Sequence, residues 1–369
     1  MKNFSKLIVL IALFAAILGC NNKAQTVDEI IYLNIDGIYP EKTIYLEDVA
    51  NIKYVQMDFD SEYLFGRSCL IYVATTKIVI YDFITHDVMF FSIDGKPLSK
   101  FNRHGNGPGE FPTSFGLFYI DEEDRLYVNV ANTFKVYSSN GDYFYDIKIP
   151  LDDTGLSTVV NFDKESLLVY RYSDAINKNF ARFSKKDASL IEEIDIIADK
   201  DIFFPANVFR FNFVRYKDGY LLSEHSNDTV FYYGQDKKLV PKLIRTPPIA
   251  TLDPYYYSYG FIEAGDYIFL NRIIVENERR RPFDCLMINK NDQSIYKQKV
   301  LMKDFEVMVM NLDGQIFSGN HDSKVGFYRL SVDLLSRALE ENLLSGELKE
   351  RAMAFDEYSN DVFMLMLFK

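Results

Sequence analysis

Short runs in which apolar and polar residues alternate dominate the chain from Ile30 to about Tyr328. Alternation with a period of two residues is typical of β-strands that bury one face. The runs are rich in β-branched and aromatic residues and are bounded by Asn, Asp, Gly or Lys, as in KIVIYDF, RLYVNVA, SLLVYRYS, GYLLSEH, DYIFLNR and DCLMINK. Many short strands separated by turn signals predict a sandwich, a barrel or a propeller.

An internal repeat favours the propeller among these three architectures. Residues 88–101 and 134–147 align at an offset of 46 residues, with several apolar positions and a Gly-containing turn in register. The two turns are Asp94-Gly95 and Asn140-Gly141, and looser copies lie at Lys186-Asp187, Asp236-Lys237 and Lys290-Asn291. Asp-Gly and Asn-Gly pairs favour type I′ hairpins, in which both central residues have positive φ.

The repeat length matches a propeller blade of four strands, which takes about 40 to 50 residues. Five blades are visible, and residues 315–330 together with 362–368 supply a sixth. We therefore predict an all-β fold, a six-bladed β-propeller with four-stranded antiparallel blades.

One segment near the C-terminus departs from the β pattern. Residues 331–355 carry leucines and alanines at helical spacing, and Ser331 precedes them as an N-cap candidate. We predict a short helix packed on the rim of the propeller, with a partner-binding helix as the alternative. The closing strand, residues 362–368, is expected to pair with an N-terminal strand within residues 43–58, which would remove exposed sheet edges.

The first residues read as a targeting segment and not as part of the fold. Lys2 and Lys6 precede a short apolar run that ends in ILGC, typical of a secretory signal. Gly19 before Cys20 resembles a bacterial lipobox, in which the cysteine thiol receives a diacylglycerol; ordinary cleavage beside an incidental cysteine is the alternative. We predict a signal peptide over residues 1–19, a lipidated tether over 20–28 and a single propeller domain over 29–369, held at the bilayer by an acyl anchor.

Composition and charge narrow the function classes. The net charge of −12 and the lack of a basic stripe argue against binding to nucleic acid. Cys69 and Cys285 lie inside apolar runs far apart in the chain, so we expect buried free thiols and not a disulfide.

A cluster of three glycines occurs in RHGNGPGEF, residues 103–111. The cluster lacks the Lys-Ser/Thr of a phosphate loop and precedes a strand, so a phosphate site is the weaker interpretation. We expect the chain to cross here from the outer strand of one blade to the inner strand of the next, with Phe111 inserted between the two blades. The residues expected to build this crossing are Gly105, Gly107, Pro108, Gly109 and Phe111.

Residues 105–144 resemble one NHL-type propeller repeat, from the three glycines and Phe111 to Gly141 and Phe144. With the opening IYLEDVANIKYVQM, the closing SNDVFMLMLFK and the ILGC motif, the chain looks like the six-bladed β-propeller lipoproteins of Gram-negative gut bacteria. The resemblance implies an outer-membrane lipoprotein, on the periplasmic or the cell-surface side, and implies no particular activity.

Blade topology groups the candidate chemistry at one end of the propeller. Loops that cross between blades and loops that join each second strand to the third open on one face, and the Asp-Gly hairpins open on the other. His86, His104, His225 and His321 all fall on the first face. The side chains proposed there for hydroxyl-rich or anionic ligands are Arg171, Tyr172, His225, Arg272, Asn320 and His321.

Two functions remain open. Because no catalytic motif is present, a non-catalytic binding or scaffolding module is favoured. We expect it to be a monomer without a cofactor and to bind an unknown protein, peptide or glycan partner. The alternative is a metal-dependent lyase or hydrolase, in which His104, His225 and His321 would hold a metal ion. The remaining interpretation of these histidines is that they are solvated loop residues.

Overall fold

The computed structural model is a six-bladed β-propeller with four-stranded antiparallel blades, as the sequence predicts. It describes residues 30–58, 62–113, 116–120, 123–150, 156–171, 178–199, 201–202, 212–277, 279–312, 325–356 and 359–369. None of the helices in these ranges has the length and apolar character needed to cross a membrane.

The chain enters through an N-terminal strap, residues 31–56, that precedes the first blade. The strap consists of β1 (Ile31–Asn34), β2 (Glu41–Tyr45), α1 (Leu46–Val49) and β3 (Ala50–Gln56). The first blade follows, with β4 (Cys69–Val73), β5 (Lys77–Asp82), β6 (Asp87–Ser92) and β7 (Pro97–Asn102).

The next two blades repeat this antiparallel order. The second blade has β8 (Gly116–Ile120), β9 (Arg125–Val130), β10 (Thr133–Tyr137) and β11 (Tyr143–Lys148). The third has β12 (Leu156–Asn161), β13 (Ser166–Arg171), β14 (Phe180–Ser184) and β15 (Leu190–Glu193).

The fourth and fifth blades carry additional strands. The fourth has β16 (Phe213–Tyr216), β17 (Gly219–Ser223), β18 (Thr229–Tyr233) and β19 (Leu239–Thr246), followed by a 3₁₀ turn, Ile249–Thr251. The fifth has β20 (Tyr255–Ala264), β21 (Tyr267–Glu276), β22 (Arg279–Asn289) and β23 (Ile295–Met302), and β24 (Phe305–Met310) pairs with β23.

In the sixth blade, β25 (Val325–Leu330) and β26 (Val362–Phe368) pair with each other, and helices α2 (Val332–Glu340) and α3 (Gly346–Met353) separate them.

The N-terminal strap covers the outer edges of three consecutive blades. Strand β1 adds in parallel to β19, and β2 adds in parallel to β23. Strand β3 pairs with β26 in antiparallel register, which confirms the predicted closure of the ring by the two ends of the chain. The added strands cover edges that would otherwise present unpaired backbone groups.

Burial follows the position of a strand within its blade. Inner strands such as β13 are buried along their whole length, whereas the outer strand β7 alternates between half-buried and exposed residues. The apolar core accordingly lies between successive blades and is filled by aromatic and branched side chains.

The predicted hairpins are present, but the first two are not type I′. In the first blade Gly95 donates its N–H to the Ser92 carbonyl, and only the glycine has positive φ, at 91°. Gly141 donates to Ser138 in the same way in the second blade. Each turn therefore needs one left-handed residue and ends in a glycine bulge, which accounts for the register shift in both hairpins.

The glycine-rich segment joins β7 of the first blade to β8 of the second. Phe111 is completely buried, with its ring centroid 5.8 Å from that of Tyr81 in the first blade and 6.0 Å from that of Tyr137 in the second. The Gly107 N–H is donated to the Glu110 carboxylate at 2.9 Å, so a side chain of the loop itself occupies the position of an anion.

Between the first two blades, the crossing loop contacts the outer hairpin of the next blade. Arg103 of the crossing loop donates from Nε and Nη2 to the Gly141 carbonyl of the next blade's hairpin, at 3.1 and 2.8 Å.

The segment predicted as one helix forms two short ones. The Ser331 Oγ accepts a hydrogen bond from the Leu334 N–H, so Ser331 caps α2 as expected. Positive φ values at Asn342 and Gly346 interrupt the helix. Leu335 and Leu348 are buried in the apolar cluster that includes residues of β23 and β26, so the helices pack on the propeller.

Candidate functional site

Of the six residues predicted to bind a ligand, three belong to the described part of the chain: Arg171, His225 and Arg272. Tyr172, Asn320 and His321 lie outside the described residues, as does the lipidation candidate Cys20. Arg171 and His225 lie where the second strand of a blade ends and the loop to the third begins, as expected. Arg272 instead lies in the middle of β21 and pairs there with Asp284, so its predicted placement in such a loop is wrong.

The guanidinium of Arg171 forms hydrogen bonds within its own blade. Its Nη2 donates to the Lys178 carbonyl at 2.9 Å and to Glu193 Oε1, on the outer strand β15, at 2.7 Å. The residue is 8% exposed. Its guanidinium therefore ties the second strand to the fourth.

Arg272 is more completely occupied. Its Nε and Nη2 contact the two carboxylate oxygens of Asp284 at 2.7 Å each, and Nη1 donates to the carbonyls of Ile35 and Gly37 at 2.8 and 2.7 Å. The fork geometry of arginine suits such a paired carboxylate. Arg272 thus clamps the N-terminal strap onto the fifth blade.

His225 is buried and is not a solvated loop residue. Its Nδ1 lies 3.3 Å from the Tyr170 hydroxyl and 3.3 Å from Asn212 Nδ2. On one side its ring stacks on Tyr257, with centroids 5.0 Å apart. These contacts join the third, fourth and fifth blades.

Glu224 is the charged member of this buried cluster and is 3% exposed. Its carboxylate accepts hydrogen bonds from Asn179 Nδ2 at 3.0 Å and from the Tyr170 hydroxyl at 3.2 Å. Burial raises the pKa of the carboxyl, but contacts with His225, Asn179 and Tyr170 outweigh burial and hold the pKa below its ordinary value. Glu224 is therefore a buried carboxylate that stays ionised at neutral pH.

The metal-candidate histidines are placed in different surroundings. His104 stacks on His86, with ring centroids 3.7 Å apart, whereas His225 lies in the buried cluster described above. Within the described ranges, no group of three or more His, Cys, Asp or Glu side chains is placed to hold a metal ion. His321, the third candidate, is not among these residues.

A cleft of about 590 Å³ opens beside Arg272 in the fifth blade. It arises because β22 pairs with β23 only at Ile295 to Lys297, whereas β24 pairs with β23 at Val300 to Met302. Strands β22 and β24 separate between these two zones, and Gln298 lies at the point of separation.

Hydrogen bonds within the protein fix the base of the cleft. Asn271 donates to the Tyr259 hydroxyl at 3.2 Å, and the Cys285 thiol lies 2.6 Å from Asn271 Oδ1. The Gln298 amide exchanges two hydrogen bonds with the backbone of Leu312. The amide groups at the base are thus already engaged.

The remaining lining is largely apolar and carries one cation that is not engaged in an ion pair. Phe283, Val309 and Tyr328 are 38%, 53% and 39% exposed. Lys297 makes no ion pair with any residue in the described ranges, whereas Arg272 and Asp284 neutralise each other. The cleft can therefore enclose an apolar group close to a positive charge.

The sequence analysis proposes Arg272 as a ligand-binding residue but does not predict this cleft. Apart from Asn311, its lining residues lie on six consecutive strands, β20 to β25, and no local motif connects them. The feature that could have pointed to the cleft is the unusual length of strands β21 and β22, which have 10 and 11 residues. Cys285 and Cys69 form no disulfide, as predicted, but both are half-buried and not fully buried.

Comparison with known proteins supports the fold. A family model, DUF5128, described as a 6-bladed beta-propeller, matches residues 21–243, more than half of the chain. No curated protein matches the sequence.

Two solved structures from Bacteroides are similar to this chain. A Bacteroides fragilis protein described as exported is 13% identical, with a TM-score of 0.62 over 92% of this chain and 100% of that chain. A member of the DUF4221 family from Bacteroides vulgatus is 11% identical, with a TM-score of 0.45 over 87% of this chain and 98% of that chain. At this identity the first match indicates a shared fold.

Proposed function

The chain belongs to the DUF5128 family of six-bladed β-propellers, and from this premise we propose that it is a lipid-anchored, extracytoplasmic binding module whose ligand occupies the cleft between β22 and β24. The observation that carries this proposal is the cleft itself. Its volume of about 590 Å³ lies within the range typical of small-molecule sites.

The lining of the cleft supports binding. Exposed Phe283, Val309 and Tyr328 cluster at one place, and grouped exposed apolar side chains commonly mark an interaction site. The base is held rigid by side-chain hydrogen bonds at Asn271 and Gln298. A preformed site of this kind loses little entropy when it binds a ligand.

The location rests on the N-terminal sequence. The apolar run that ends in Gly19-Cys20 supports export and lipidation of Cys20. The exported description of the Bacteroides fragilis protein agrees with this location. A Cys20→Ser variant made in a bacterial host should lose labelling by an alkyne fatty acid and move from the detergent phase to the aqueous phase. Unchanged labelling would refute the anchor.

Binding is tested on the chain without its signal peptide, by saturation-transfer NMR with a panel of peptides, organic acids and oligosaccharides. Val309→Trp should abolish the contacts because its large ring occupies space in the cleft without adding a charge. Val307→Trp is the matched control, since Val307 is 59% exposed on the same strand and does not line the cleft. Equal binding by both variants, or no binding by the unaltered protein, would overturn the proposal.

A further inference from the structure

We propose that the ligand of the cleft is a molecule that joins a carboxylate to an apolar body, such as a small organic acid or the C-terminus of a peptide. This inference rests on the proposed function, because it specifies the ligand class of the same site. Three independent features of the lining support it. These are its charge, its apolar walls and the hydrogen bonds within the protein that already engage two of its amide side chains.

The charge of the lining favours a single negative charge on the ligand. Asp284 is neutralised by Arg272 through both carboxylate oxygens, so its negative charge does not oppose an anion. Lys297 is left as the uncompensated charge of the lining, within a protein of net charge −12. A local positive charge on an acidic protein directs anions to that site, and one ammonium group matches one carboxylate.

The walls favour an apolar body beside that charge. Phe283, Val309 and Tyr328 are partly exposed to solvent, and Met308 and Pro282 extend the same surface. Covering such side chains removes apolar area from water, at about 25 cal/mol for each Å². A ligand that was polar throughout would forgo this contribution.

Two amide side chains of the lining already form hydrogen bonds within the protein, which disfavours a sugar as the ligand. Recognition of hydroxyl groups uses amide and carboxylate side chains as paired donors and acceptors. Of the three amides that line the cleft, that of Asn271 is bound to Tyr259 and Cys285 and that of Gln298 is bound to Leu312, whereas Asn311 is exposed. A sugar that needed more than the Asn311 amide would have to displace these bonds, whereas a carboxylate needs only Lys297.

The test measures dissociation constants of matched probes on the chain without its signal peptide. The acids are 3-phenylpropionate and N-acetyl-Ala-Ala-Phe, each is paired with its primary amide, and maltotriose represents a neutral sugar. We expect at least one acid to bind about tenfold more tightly than its amide, the usual effect of a charge-assisted hydrogen bond. Which acid binds more tightly identifies the source of the carboxylate.

The variants assign the effect to the cleft. Lys297→Met should weaken the acid about tenfold and leave the amide nearly unchanged. Lys299→Met is the control, because Lys299 lies two residues along the same strand, pairs with Glu41 at 3.9 Å and does not line the cleft.

The outcomes separate this inference from the proposed function. If acids and amides bind equally, or if Lys297→Met preserves the preference, the carboxylate assignment is wrong, while loss of binding in Val309→Trp would still support the cleft. Binding of maltotriose alone, lost in Val309→Trp, would likewise overturn only the ligand class. If no probe responds to Val309→Trp, both proposals fail.

Discussion

Arg272 and Asp284 face each other across β21 and β22 and form a two-point ion pair, with both N–O distances at 2.7 Å. The Arg272 side chain is fully buried and that of Asp284 is 12% exposed. Because Arg272 also donates to the carbonyls of Ile35 and Gly37, this pair fastens the N-terminal strap beside the cleft.

The first prediction concerns this ion pair. Asp284→Asn leaves the buried guanidinium without a counter-charge, and we expect the free energy of unfolding to fall by about 3–5 kcal/mol. Urea denaturation followed by circular dichroism measures the change. Glu276→Gln is the control, because it breaks the exposed pair with Arg281 in the same hairpin and should cost less than about 1 kcal/mol. Similar small losses in both variants would contradict the structural role of the pair.

The second prediction concerns the strap as a structural element. Leu33 on β1 is completely buried in an apolar cluster that includes Leu243 of the fourth blade and Leu286 of the fifth. Leu33→Ala should lower the free energy of unfolding by about 2–5 kcal/mol. Ile38 lies in the same strap but is 94% exposed, so Ile38→Ala should stay within about 0.5 kcal/mol of the unaltered protein. Thermal melting of the two variants measures the difference. Equal losses of stability in Leu33→Ala and Ile38→Ala would mean that the strap is not packed on the blades.

The propeller was predictable from the sequence because each blade repeats the same local signals. The spacing of the Gly-containing turns gave the blade length, and the closing strand was assigned from its apolar character. The parallel addition of β1 and β2 to the fourth and fifth blades was not predictable, since such pairing depends on which edges remain open in the assembled ring.

The site was less predictable, because the roles of polar residues depend on partners distant in the chain. Arg171 and Arg272 were proposed as ligand donors, but Glu193 and Asp284 engage their guanidinium groups within the blades. His225 follows a strand and was expected to be solvated unless it bound a ligand. It is buried because Tyr170 and Tyr257 of neighbouring blades close over it.

The third prediction concerns the glycine crossing between the first two blades. Gly109 has a φ of 69°, and a Cβ at this position would lie 2.8 Å from the Tyr143 ring. Gly109→Ala should therefore cost about 1–3 kcal/mol, because an L residue is strained in this conformation and the ring must also shift. Gly116→Ala, a few residues later, is the control: a Cβ there meets nothing within 4 Å. Chemical denaturation should separate the two variants, and indistinguishable stabilities would mean that the crossing tolerates side chains.

The fourth prediction concerns the pH dependence of stability and the buried carboxyl of Glu224. The folded protein holds the pKa of this group below its ordinary value of 4.5, so the carboxylate stabilises the fold above that pH. As the pH falls below 4.5 and through the folded-state pKa, the contribution is lost. We therefore expect the stability difference between the unaltered protein and Glu224→Gln to be largest near pH 7 and to shrink toward pH 3.

Urea titrations at several pH values measure this difference directly. Glu341→Gln, at an exposed position on the C-terminal side of α2, controls for the removal of one negative charge from an acidic protein. Its effect should be small at every pH, because an exposed charge is screened by solvent. A Glu224→Gln difference that grew on acidification would require the buried carboxyl to be neutral in the folded protein. Asn179 and Tyr170 donate to different oxygens of this carboxyl, so a proton on either oxygen would weaken one of the two hydrogen bonds.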